Sequence, residues 1–348
     1  VGGSLAPGHR NPSAPPNLYR VRVTADTPAP SDGPLVAELS EDALLARIFP
    51  LLPRGTDTHV APGDDAAVLA APDGRFVVTT DVLVEDRHFR RAWSSGEDVG
   101  RRAAVQNLAD VAAMGARPTS LVVALVVPGD LPASWVEGLA RGLAAECGPL
   151  GVGVVGGDLS GGPAVVVAVT AHGDLAGRAP VLRSGARAGD VVAHAGVAGW
   201  SAAGLALLEA GRGQLDRALV GAHLRPVAPL AAGPVAASAG ATAMLDVSDG
   251  LLRDAGRIAR ASGVRIDLDA GAFAADRDRL RTVAAELGGV AERWVLDGGE
   301  DHGLLATFPA GSVLPAPFRA VGRVGEGTGV CVDGVPAPAR SGWDHFAG

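Results

Sequence analysis

Carboxylates recur beside glycine and hydroxyl residues at five places in this chain. Gly63-Asp64-Asp65 precedes an apolar run, and Thr79-Thr80-Asp81 sits inside one. Gly156-Gly157-Asp158 follows another, and Asp246-Val247-Ser248-Asp249-Gly250 joins an apolar run to a helical pattern. Asn107 and Asp110, three apart, share one face of a further helical pattern. These are hard oxygen donors of the kind Mg2+ takes, whereas softer metals would want clustered His or Cys. The glycines let backbone N–H groups approach phosphate oxygens closely. Each cluster alone has an ordinary explanation, since Asp caps helices and Gly-Asp makes turns. An Asp within Phe76–Val84 is harder to explain that way, because an unpaired carboxylate is costly to bury. Together the clusters point to a metal-nucleotide site, with Arg183 able to clamp a phosphate by two parallel hydrogen bonds.

The elements that must hold these residues follow from periodicity. Ser40 predicts the N-cap of a helix whose apolar face is Leu44, Leu45, Ile48 and Phe49. Residues 66–71 and 76–85 read as a hairpin turning at Pro72-Asp73-Gly74. A helix over 97–114 should stop at Gly115, followed by a strand at 120–127, a helix at 132–147 and strands at 152–155 and 164–171. Beyond the polar, Gly-rich stretch 178–190 come a strand at 191–194, Ala-rich helices to about 239, a strand at 243–247 and a helix at 251–261. Later strands fall at 264–268, 303–308 and 318–324. This predicts an α/β (α+β) chain of two domains, 34–177 and 178–348, behind a disordered tail at 1–33.

Composition excludes several chemistries. All 30 basic residues are Arg. Without Lys there is no P-loop, no protein-kinase strand lysine and no Schiff base. A net charge of -8 over 348 residues argues against nucleic acid or an anionic membrane as partner. The two cysteines, Cys147 and Cys331, form neither a zinc motif nor a disulfide framework, which fits a reducing cytoplasm. No basic segment followed by an apolar run opens the sequence, so no signal peptide is expected, and its two long uncharged stretches are broken by Gly, His or Pro, so no membrane span is predicted.

In order and spacing, GDDAAV, TTDVLVEDRHF, NLADVAAMGA, GGDLSGG, RSGARAGD, LDVSDGL, GGEDHGLL and GWDHF closely resemble the thiamine-monophosphate kinases. That family belongs to the aminoimidazole ribonucleotide synthetase-like superfamily. The resemblance implies an N-terminal α/β domain that dimerises through its strands and a C-terminal α/β domain. It implies a homodimer that uses ATP and several Mg2+ ions to convert thiamine monophosphate to thiamine diphosphate. By position, Asp65, Thr79, Thr80, Asp81, Asp110, Asp158, Asp246 and Asp249 resemble the metal ligands. Gly157, Asp158, Arg183 and Ser248 resemble the ATP contacts, and His88, Glu300 and Trp343 the acceptor contacts. Departures are Ala61-Pro62 before the first Gly-Asp-Asp, Leu159 after Asp158, and His302 and Gly303 after Glu300-Asp301. No general base is expected. The alternatives are a sibling ATP-dependent synthetase of the superfamily and a sensor that binds nucleotide or thiamine phosphate without turnover.

Overall fold

The structure, a computed structural model, describes residues 33–60, 66–338 and 341–343. Nearly all of the predicted tail 1–33 and the candidate ligand Asp65 lie outside the described residues. The first half runs α1 (Glu41–Ile48), β1 (Thr58–Val60), β2 (Val68–Leu69), β3 (Val77–Val84), α2 (Gly96–Ala113), β4 (Arg117–Val127), α3 (Ala133–Cys147), β5 (Gly153–Gly161) and β6 (Val166–Asp174). The second half opens with β7 (Val191–Ala195), α4 (Trp200–Glu209), α5 (Arg217–Leu224), α6 (Ala232–Ser238), β8 (Ala243–Val247) and α7 (Leu251–Ser262). It closes with β9 (Arg265–Leu268), α8 (Ala274–Leu287), α9 (Ala291–Asp297), β10 (Gly303–Phe308), β11 (Arg319–Gly325), β12 (Gly329–Val332) and β13 (Val335–Pro336).

One sheet has the order β3-β6-β4-β5 and a second the order β13-β12-β9-β11-β7-β10-β8, while β1 and β2 pair by themselves. The predicted hairpin of 66–71 with 76–85 therefore does not form. β3 instead makes an eight-residue antiparallel ladder with β6, from Val77↔Gly173 to Val84↔Val166. Residues 68–69 offer only a two-residue strand, so the longer ladder satisfies far more backbone groups. The Gly156-Gly157-Asp158 cluster also differs from expectation: β5 continues through it rather than ending before it.

α2 is the element on which the site rests. Ser95 and Asp98 form a reciprocal capping box at its start, and Gly115, at φ +76°, ends it. The helix is buried on nearly every side, including Arg102, Gln106 and Asn107, because sheet, α3 and the second half all pack on it. α3 approaches so closely that a Cβ on Gly100 would lie 2.1 Å from the Leu139 carbonyl oxygen, and one on Gly142 would lie 2.3 Å from that of Glu97. Among the described residues no helix is long and apolar enough to cross a membrane.

Gly100→Val forces a branched side chain against backbone that cannot yield. It is expected to destabilise the protein by at least about 1–3 kcal/mol, the usual cost of overpacking. Denaturant melts check this, and an unchanged midpoint would refute the close α2–α3 contact.

Candidate functional site

β3 brings Thr79 and Asp81 to the sheet face that packs on α2, where Leu83 is buried in the core. Two side chains of α2 meet them. Thr79 Oγ1 donates to Asp110 Oδ2 at 2.7 Å, and the Asp81 backbone N–H donates to Asn107 Oδ1 at 3.1 Å. Asn107 Nδ2 in turn donates to the Ala103 carbonyl at 2.9 Å, which orients its amide. The second half supplies the opposite wall. Asp246, next to last in β8, is almost fully buried, Asp249 stands in the turn before α7, and Glu300 and His302 sit in the loop before β10.

The electrostatics show that these groups face one another. Burial raises the Asp81 carboxyl first, and the charges of Asp246, Glu300 and Asp249 raise it further. Asp110 is pushed up to about 7 by burial and by the charges of Asp246 and Asp81, against the pull of the Thr79 hydrogen bond. Glu300 goes the other way. Burial works to raise it, but the Arg102 guanidinium and His302 outweigh burial and hold it at about 2. His302 Nδ1 lies 3.2 Å from Asp246 Oδ2; burial opposes its protonation, yet that bond and the Glu300 charge raise it overall. Sequence reasoning singled out neither Arg102 nor the pair Asp254 and Arg257. Arg257 ion-pairs with both Asp249 and Asp254, and Asp254 Oδ2 accepts the Asp249 N–H at 2.9 Å. The three-residue spacing of Asp254 and Arg257 on one helix face was the only available signal for that pair.

Other candidates lie elsewhere. The register sets Asp81, Val169, Val123 and Gly157 in one row across the sheet. Asp158 falls in the next row with Val82, Ala168 and Ala124, on the exposed opposite face, where Thr80 is also exposed. Asp158 and Asp81 are thus three strand spacings apart, about 14 Å, on opposite faces. Gly157 must be glycine, since a Cβ there would lie 1.9 Å from the Val123 carbonyl oxygen. Beneath β4 and β5 lies an apolar cavity of about 560 Å3 lined by Leu45, Phe49, Leu139, Leu143 and Val154, with Gly157 and Asp158 at its border. Arg183 is exposed, and its carbonyl accepts from Ser262 Oγ at 3.0 Å. Ser248 contributes its carbonyl to the Glu300 N–H at 2.8 Å. His88 Nδ1 accepts from the Val84 N–H at 2.9 Å just past β3. Trp343, 53% exposed, is carried to the Asp249 turn by its N–H, which donates to the Asp249 carbonyl at 2.9 Å. Among the described residues no three His, Cys, Asp or Glu side chains already converge on one metal position.

A carboxylate seam between two α/β halves of this topology defines an enzyme with the AIR synthase-like fold, and the family of AIR synthase related proteins, N-terminal domain, matches residues 63–175. The chain is 49% identical over 325 residues to a thiamine-monophosphate kinase of Mycobacterium tuberculosis, covering 93% of this chain and 97% of that one. A Corynebacterium glutamicum thiamine-monophosphate kinase is 43% identical, with 90% and 96% covered. A solved structure, AaThiL complexed with AMPPCP and TMP, superposes with a TM-score of 0.73 at 33% identity over 89% of this chain and 98% of that one. The chain belongs to the thiamine-monophosphate kinase family and is a kinase.

Asp110 gives a sign that can be checked. Its folded-state value, about 7, lies above the ordinary 3.8, so the penalty for its charge is absent below the lower value and complete above the higher one. Asp254 and Asp301, each also pushed up to about 7 by burial first, act in the same direction. Protein kept in chelator is expected to lose stability as pH rises through this window, and Asp110→Asn to flatten that loss. Melting temperatures across the window test this; a variant that melts lower than wild type at pH 8 would refute it.

Proposed function

We propose that this enzyme transfers the γ-phosphoryl group of ATP directly, in line, to thiamine monophosphate, giving thiamine diphosphate in the last step of that cofactor's biosynthesis. The observation that carries the reading is the seam. In a chain 49% identical to a thiamine-monophosphate kinase, Asp81 and Asp110 of the first half, their carboxyls raised by burial and by neighbouring charge, face Asp246 of the second. Such repulsion is relieved by cations. Asp81, Asp110, Asp246 and Asp249, with Thr79, Thr80, Asp158 and, by its motif, Asp65, would hold several Mg2+ ions. Bound there, Mg2+ would neutralise charge on the transferring group. Mg2+ keeps several waters and takes one or two carboxylates plus substrate phosphates, so it does not need a closed cage of protein ligands.

The chain's own task is then positioning. A phosphate monoester has a second pKa of about 6, so the attacking oxygen is already mostly deprotonated at neutral pH and needs no base. What must be overcome is repulsion between two anions held in line. The apolar cavity at Gly157 and Asp158 has the size and lining for the nucleotide base. Ser248, the uncapped N-terminus of α7 and Arg183 are assigned to the phosphates. Glu300 and Trp343 flank the Asp249 turn, and with His88 they are assigned to the acceptor.

We further infer a cytoplasmic homodimer of chains with domains 34–177 and 178–348. Two facts support the dimer: β3 and β5 are the edges of their sheet, and its outer face exposes Val78 and Val82 at 55% and 44%. Pairing each β3 with the partner's β5 would use both edges and, by closing the two sheets into a barrel, enclose that face. It would also set the partner's Asp158 beside Thr80 and Asp81, which one chain by itself keeps apart.

Chromatography of the products of thiamine monophosphate and Mg-ATP tests the reaction. Thiamine diphosphate and ADP are expected in equal amounts, and ATP binding without ADP would indicate a sensor. Asp81→Asn is expected to abolish turnover with the melting curve intact, whereas wild-type turnover at limiting Mg2+ would remove Asp81 from the ligand set. Val82→Arg is expected to give a folded, inactive monomer in sedimentation; an active monomer would refute the shared site.

A further inference from the structure

Among the described residues Arg102 is the one buried arginine, 3% exposed on α2. Its Nη2 hydrogen-bonds Glu300 Oε2 across the seam between the two halves, and its Nη1 reaches the His223 carbonyl at 3.4 Å. Glu300 is held there at some cost. Its backbone is left-handed, φ +68°, and so is that of His302, φ +52°, a conformation that non-glycine residues rarely adopt. The Glu300 N–H to Ser248 carbonyl bond, 2.8 Å, and the His302 N–H to Val247 carbonyl bond, 3.0 Å, lock the turn. Both side-chain contacts of Glu300 converge on one oxygen: Arg102 bonds Oε2, and His302 Nε2 lies 3.9 Å from the same atom. The side chain remains 35% exposed, and none of its described contacts uses Oε1.

We propose that Arg102 is a positioning residue for the acceptor, fixing Glu300 through Oε2 so that Oε1 receives the amino group of the acceptor's ring. This rests on the assignment of Glu300 to thiamine monophosphate, whose pyrimidine carries such an amino group. The arrangement suits an amino group because an ionised carboxylate only accepts hydrogen bonds. A guanidinium buried beside it keeps it ionised and removes its freedom to rotate. An ion pair that merely tied the halves together would not need to leave the second oxygen open.

The experiment measures both Michaelis constants and the melting temperature for Arg102→Met, Arg102→Lys, Glu300→Gln and the double variant Arg102→Met/Glu300→Gln. Thiamine monophosphate is compared with its analogue bearing oxygen in place of the ring amino group. Arg102→Met is expected to raise the acceptor KM roughly tenfold or more, the loss of one charge-assisted hydrogen bond, with the ATP KM within about twofold. Arg102→Lys should fall between it and wild type. The double variant should be no worse than Glu300→Gln, and Arg102→Met should lose the preference for the amino-bearing acceptor. Multiplying effects in the double variant, or equal rises for ATP and acceptor, would overturn the proposal and leave Glu300 as an acceptor contact. If Glu300→Gln itself leaves the acceptor KM unchanged, the acceptor assignment fails and this inference with it. Should Arg102→Met not fold, Arg102→Lys is judged by the same split.

Discussion

Like charges gathered away from bulk water repel strongly, and Asp81, Asp110, Asp246, Asp249 and Glu300 are gathered in this way. The surrounding structure meets that repulsion in three ways. Guanidinium groups neutralise part of it, Arg102 at Glu300 and Arg257 at Asp249 and Asp254. Hydrogen bonds from Thr79 and His302 take up further charge at Asp110 and Asp246. What remains shows as the Asp81 and Asp110 carboxyls pushed upward, the kind of perturbation that clusters at functional sites. A Lys-free composition is consistent with this. Arg brings a planar fork and a charge that burial does not remove, whereas a buried Lys readily loses its proton.

The geometry depends on α2. One helix carries Arg102, Asn107 and Asp110, and its capping box and terminal glycine set where those residues fall relative to β3. Such polar residues on a buried helix would be a liability if they faced apolar neighbours. Here each meets a partner: Arg102 a carboxylate, Asn107 a backbone amide and Asp110 a hydroxyl. The glycine contact with α3 lets α2 sit close to its neighbour while its polar side looks toward the second half. The same sheet also serves two purposes. Its inner face bears Asp81, and its outer face bears Asp158 and Thr80 among exposed valines.

Much could be read from the sequence because the signals were local. Alternation and helical spacing located β8 and β10 to the residue, and Ser40 and Gly115 marked a helix start and a helix end. The Asp residues beside Gly and Thr stood out through their own neighbours, and the fold gathers Asp81, Asp110 and Asp246 in one place. The hairpin of 66–71 with 76–85 was misread because turn residues report only that the chain can reverse. Which strands then pair depends on ladder length and on what each face buries, and β6, some ninety residues downstream, offered the better ladder.

By itself, then, the amino-acid sequence determined the element types, the ordered motifs and the donor chemistry of this protein, since these depend on residues close together in the chain. Tertiary structure alone decided which donors meet. It set Asp110 and Asp246 against Asp81, put Asp158 on the far side of the same sheet, and brought Trp343 to the Asp249 turn. It also revealed Arg102, whose partner Glu300 is 198 residues away and whose neighbours in sequence carry no hint of it. Charge interactions fall off with distance in space and are blind to distance along the chain, so a pairing of that kind is visible only once the fold has closed.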